Sequence, residues 1–167
     1  NPKESPTEAY KDRSRKQLAE IYPFDLSLDS TVINGVNFVT LDDVFGPVTA
    51  EQVERFHAEV KKGLPIVLCA HVPFFTDRIW QVACKYWNGN GRRFESAAIP
   101  PAMGDLKRQR EDPVTRDFIS YLKSEKLLKA ILAGHLHITV QDRFSPTAME
   151  YVVGGNFMFH GEEVLFV

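Results

Sequence analysis

Apolar residues fall into two kinds of run along this chain. Pro65-Ile66-Val67-Leu68-Cys69-Ala70 and Ala130-Ile131-Leu132-Ala133 are short, continuous and flanked by Gly, Pro or polar residues. Such runs fit strands buried on both faces. Elsewhere the apolar residues recur at helical spacing. Val53, Phe56 and Val60 lie between a Thr49-x-x-Gln52 capping box and Gly63, which predicts a helix with one buried face. Ile79, Val82, Ala83 and Tyr86 share a face of a predicted helix over 77–87, with Thr76 as N-cap. Val114, Phe118, Tyr121 and Leu122 do the same after Asp112-Pro113, where Pro suits the first helical position.

The remaining segments carry turn chemistry. Thr31–Ile33 and Val36–Leu41 flank Asn34-Gly35, the preferred pair for a two-residue hairpin turn. Ser5-Pro6-Thr7-Glu8 predicts a capping box at Ser5 and a peripheral helix to about Ile21. Residues 88–112 lack apolar periodicity and are expected to be a long connection, able to roof whatever lies beyond the neighbouring strand. Strands are expected at Ile138–Arg143, Met149–Val153 and Glu163–Val167, with turns at Gly154-Gly155 and Gly161. Helix, strand, helix, strand in alternation indicates an α/β fold and one domain over residues 1–167.

Both continuous runs end in histidine. His71 follows Ala70, and Gly134-His135-Leu136-His137 follows Ala133. In open α/β sheets ligands bind beyond the carboxyl ends of the strands. Neutral imidazole is the commonest protein ligand for metals such as Zn. In an extended segment His135 and His137 would face one side and Leu136 the core, while Gly134 would let backbone approach a ligand closely. His57 and His160 have no ligand-type neighbour and are expected to be ordinary surface or boundary residues. Asp42 and Asp43 are expected to be a solvated strand end. Phe74, Phe75, Trp80 and Trp87 fit a core better than a ligand pocket.

The segments VLCAHVPF and ILAGHLH resemble the last two metal-binding motifs of the calcineurin-like metallophosphoesterases. The resemblance spans roughly residues 30 to 167, although the specific motifs cover about a dozen. It implies a four-layer α/β/β/α sandwich, with mixed sheets and flanking helices, holding two divalent ions (Mn, Fe or Zn). It also implies hydrolysis of phosphate esters by metal-activated hydroxide. By motif position His71 and His135 would ligate one metal and His137 the other. The long connection adds cations, and Arg92, Arg93 and Arg108 would suit bidentate contact with substrate phosphate.

Three earlier motifs of that family are missing. There is no Asp-x-His; Gly104-Asp105 leads to Arg108 where the family has Asp; Gly155-Asn156 leads to Phe157 where it has His. Those motifs supply the bridging carboxylate, the other ligands and the catalytic His. The chain therefore reads as the C-terminal part of such a domain, starting at Asn1, with no catalytic acid or base of its own and little activity alone. A second reading is a non-catalytic binding module that keeps the fold without a complete metal site, and a third is a mononuclear zinc hydrolase built only from His71, His135 and His137.

Bulk composition narrows the choice only slightly. A net charge of -2 gives no electrostatic support for nucleic-acid binding. No apolar run approaches the ~20 residues needed to span a membrane, so a soluble protein of open compartment is expected. Cys69 and Cys84 form no redox or metal motif and are expected to be buried free thiols. Half a sandwich would expose an apolar face, through which a homodimer is expected.

Overall fold

The computed structural model describes residues 7–89 and 101–165. Among these, six strands form one mixed sheet in the order β1-β2-β3-β4-β6-β5, with five helices around it. β1 (Leu28–Ile33) and β2 (Val36–Leu41) form the antiparallel hairpin. At its turn Asn34 and Gly35 have φ of 50° and 80°, the left-handed pair that a type I′ turn requires. α2 (Ala50–Val60) then crosses to β3 (Ile66–Ala70), which pairs parallel to β2. Both bonds of the Thr49–Gln52 capping box are present. Gly63, with φ of 70°, closes the turn after the helix.

α3 (Asp77–Gly89) starts where Thr76 Oγ1 accepts the Ile79 N–H. The expected connection that follows is in part a helix, α4 (Pro101–Glu111). Its apolar signal is only Met103 and Leu106, diluted by five charged residues and an interior glycine that disfavours helix by about 1 kcal/mol. α5 (Pro113–Ser124) has Asp112 as N-cap. It buries Thr115, Phe118, Ile119 and Leu122, whereas Val114 is exposed. Next come β4 (Leu128–Ala133), parallel to β3, then β5 (Val140–Arg143) and β6 (Met149–Val152). β6 lies parallel to β4, with β5 antiparallel at the edge. Residues 163–165 are irregular where a strand was expected. The N-terminal helix α1 (Glu8–Ala19) begins at Thr7, whose Oγ1 accepts the Tyr10 N–H, two residues later than the Ser5 cap expected. Ser5, Arg92 and Arg93 lie outside the described residues.

Two cores position the strand ends. One joins Val39, Leu68 and Ile131 of the sheet to Phe56 of α2 and to Phe118 and Leu122 of α5. The other joins Ile79 and Ala83 of α3, Met103 and Leu106 of α4, and Val140 and Val152 of the sheet. Val72 and Leu136, each directly after a histidine, plug into the second core and are fully buried. The opposite face carries Thr40, Cys69, Leu132 and Tyr151 as one cross-strand row, none of them buried. Cys69 and Cys84 are free and half-buried, not fully buried as expected. No helix among the described residues is long and apolar enough to cross a membrane.

Candidate functional site

β3 and β4 are neighbours and run parallel, so the loops that follow them emerge together. The Gly134 N–H donates to the His71 carbonyl at 3.1 Å and ties the two loops. Beyond this bond the His71 and His135 rings meet edge to face, with centroids 4.8 Å apart. His71 Nε2 and His135 Nδ1 face each other at 3.0 Å. The far nitrogen, His135 Nε2, lies 2.8 Å from Asp105 Oδ2 of α4. The approach is off the N–H direction, so this is an ion-pair contact rather than an aligned hydrogen bond. A proton on Nε2, beside this carboxylate, leaves Nδ1 as a lone pair directed at His71.

The double-histidine segment is not extended. His135 and His137 have φ of 62° and 55°, in the left-handed region that non-glycine residues seldom occupy. Each such residue stores of order 1 kcal/mol of strain, a feature that clusters at functional sites. Leu136 points into the core as expected. His137 is exposed and packs edge to face on Phe157, with centroids 5.1 Å apart. It lies near enough to His71 for its charge to be felt there. A Cβ on Gly134 would meet only the Val153 carbonyl at 3.9 Å, an ordinary contact, so space does not demand glycine there.

Asp43 departs most from its expectation. It is fully buried rather than solvated, because its Oδ1 accepts the N–H groups of His71 and Val72 at 2.8 and 3.1 Å. Burial, with the Asp42 charge adding to it, pushes its carboxyl up to about 7, against those two N–H groups and His135. Burial chiefly, then the charges of His135 and His137, lowers the His71 imidazole. Farther along the same loop, Glu150 Oε1 of β6 accepts the Phe74 N–H at 2.7 Å. Gln109 of α4 accepts from Phe75 N–H at 2.9 Å and donates to the Pro73 carbonyl at 3.2 Å.

Arg108 reaches this cluster but is not free for a ligand. Its Nε donates to the Phe45 carbonyl at 3.0 Å, and its guanidinium pairs with Asp105. His57 packs on Tyr121, centroids 4.5 Å apart, and His160 is exposed and lies against Gly154, just beyond β6. A groove of about 390 Å³ opens beside His71 and Asp42, with Thr40, Cys69 and Ala70 in its lining.

Asp43, Asp105, Gln109 and Glu150 were therefore missed by sequence reasoning. Asp105 alone had a signal, the Gly-Asp pair whose motif fails at Arg108. In donor terms, His71 and His135 converge as two nitrogen ligands would. Two nitrogens ~2.05 Å from one ion stand about 2.9 Å apart in octahedral and about 3.3 Å in tetrahedral geometry. The observed 3.0 Å lies between them. Among the described residues, no group of three or more His, Cys, Asp or Glu side chains is gathered as a metal cage would need, so His137 does not complete one. The fit thus extends to the pair. The chain matches no family model and no curated protein.

Proposed function

We propose that this chain supplies histidine ligands to a metal-dependent phosphoesterase. The observation that carries the reading is the 3.0 Å convergence of His71 Nε2 and His135 Nδ1 at the ends of adjacent parallel strands. Those two atoms would hold a divalent ion of the Mn, Fe or Zn type. Asp105 would face the far nitrogen of His135, as an acceptor beside a ligating histidine usually does. Divalent ions bound there would acidify water towards neutral pH and offset phosphate charge.

The chain's own residues then have separate tasks. The left-handed backbone at His135 and His137 directs both rings away from the core while Leu136 anchors the segment. The groove beside His71 would take the part of the phosphate ester that leaves. Arg92 and Arg93 are the cations offered to the phosphate, since Arg108 is committed to Asp105. Histidines bring no negative charge, so carboxylate ligands and a second ion's site would come from a second sheet. That sheet would pack on the Thr40–Cys69–Leu132–Tyr151 face and complete a four-layer sandwich.

Elemental analysis after incubation with Mn or Zn and desalting tests this. About one ion per chain is expected, lost in His71→Ala and in His135→Ala. Turnover of p-nitrophenyl phosphate with added Mn should stay well below the ~1 per second typical of slow enzymes. An unaltered chain that keeps no ion, or variants that keep as much as it does, would overturn the reading in favour of a non-catalytic binding module.

A further inference from the structure

The loop that carries His71 is held by its backbone, and the holders are buried side chains far away in sequence. The N–H groups of His71 and Val72 end on Asp43, that of Phe74 on Glu150 and that of Phe75 on Gln109. Residue 73 is proline and has no N–H. Every backbone donor from 71 to 75 is thus received by a side chain, with no strand or helix ladder taking part. Loops in compact proteins usually leave such donors to water.

Glu150 is the unexpected member. It occupies a cross-strand row with Val39, Leu68 and Ile131, all buried and apolar. Packing alone favours an apolar residue at the fourth place. Glu150 is fully buried, its Oε2 has no hydrogen-bond partner among the described residues, and burial pushes its carboxyl well above the usual range. A buried acid with one unmatched oxygen is unfavourable for stability. What it gains is a single bond, to Phe74 N–H, three residues beyond His71.

Gln109 shares its face of α4 with Asp105, four residues earlier. One helix face therefore touches His135 and the loop that carries His71: Asp105 meets His135, and Gln109 grips Pro73 and Phe75.

We propose that Glu150 and Gln109 are positioning residues for His71, fixing loop 71–75 so that His71 Nε2 stays opposite His135 Nδ1. The value of that geometry for function rests on the phosphoesterase reading above; the geometry itself does not. Groups hydrogen-bonded to a metal ligand itself change metal affinity by about 10–100-fold when removed, which sets the scale for supports that act through the loop backbone.

The test compares Glu150→Gln, Glu150→Met and Gln109→Met with the unaltered chain. NMR reads the ring-to-ring NOE between His71 and His135, and the shifts of core methyls at Leu28, Val48 and Leu122, outside the row of Glu150, report the fold. Glu150→Gln keeps an acceptor for Phe74 and should keep the NOE. Glu150→Met and Gln109→Met should lose it while the core shifts remain. Should Glu150→Met fail to fold, Gln109→Met decides. An NOE of full strength in the Met variants overturns the proposal, as does its loss in Glu150→Gln. A parallel Co(II) titration should show binding about 10–100-fold weaker in the Met variants and near normal in Glu150→Gln. No Co(II) binding by the unaltered chain would sink the phosphoesterase reading, while the NOE would still decide on the positioning role.

Discussion

Replacing Asp43 by Asn separates the need for an acceptor at this position from tolerance of a charge there. Asn keeps a carbonyl oxygen for the N–H groups of His71 and Val72. It places an amide where Oδ2 now lies without a hydrogen-bond partner among the described residues. Burial raises the Asp43 carboxyl from 3.8 to about 7 in the folded protein. In the unfolded chain it ionises near 4. Between those values the folded state keeps a proton that the unfolded state has released. Stability therefore falls as pH rises through this window, by about 1.4 kcal/mol per unit and roughly 4 kcal/mol in all. Above pH ~7 both states are ionised and the loss is complete. Asn has no such proton, and its unmatched amide costs at every pH about what the unmatched O–H of the protonated carboxyl costs at the acid end. Other titrating groups largely cancel in the difference between the two proteins. Urea unfolding between pH 4 and pH 8 should show the variant gaining stability relative to the unaltered chain as pH rises, and exceeding it at the alkaline end. Two stability curves that run parallel across this range would refute the assignment of a buried, proton-holding carboxyl to Asp43.

Two further perturbations address the site and its support. Asp105→Asn removes the charge facing His135 Nε2 and should weaken Co(II) binding about 10–100-fold, read by titration of visible absorbance; unchanged affinity would deny Asp105 a role beside the histidine. Phe74→Ala empties a fully buried site against Phe118, with centroids 5.8 Å apart, beside the amide that Glu150 holds. It should lower urea-derived stability by about 3–5 kcal/mol, and a loss under ~1 kcal/mol would contradict the packing described.

Elements with strong local chemistry were legible in the sequence. The Asn34-Gly35 hairpin, the Thr49–Gln52 capping box, the Asp112 cap of α5 and the continuous runs of β3 and β4 all declare themselves within a few residues. So did the meeting of His71 and His135, because two buried parallel strands deliver their ends to one edge. α4 was not legible. Its buried apolar residues are Met103 and Leu106, and its other buried positions are Asp105 and Gln109, polar residues buried for their contacts rather than for packing. On α5 the apolar-spacing rule chose Val114, while the fold buries Thr115, whose hydroxyl accepts the Val48 N–H at 2.9 Å.

The same cause hid the acids of the site. Periodicity reads contacts within an element, over three or four residues. The bonds that fix the His71 loop join positions 28, 76 and 34 residues apart, from Asp43, Glu150 and Gln109. Nothing near Asp43 in the sequence distinguishes it from Asp42, yet one is fully buried and the other pairs with Arg15 at 2.9 Å. What separates them is a loop closed by β3, which no local pattern encodes. A polar residue at the end of a strand therefore carries different meanings according to what the next parallel strand delivers beside it. Where that strand ends in a candidate ligand, burial of the neighbouring acid is the physical expectation, because the loop's unpaired N–H groups need an acceptor and the sheet leaves none.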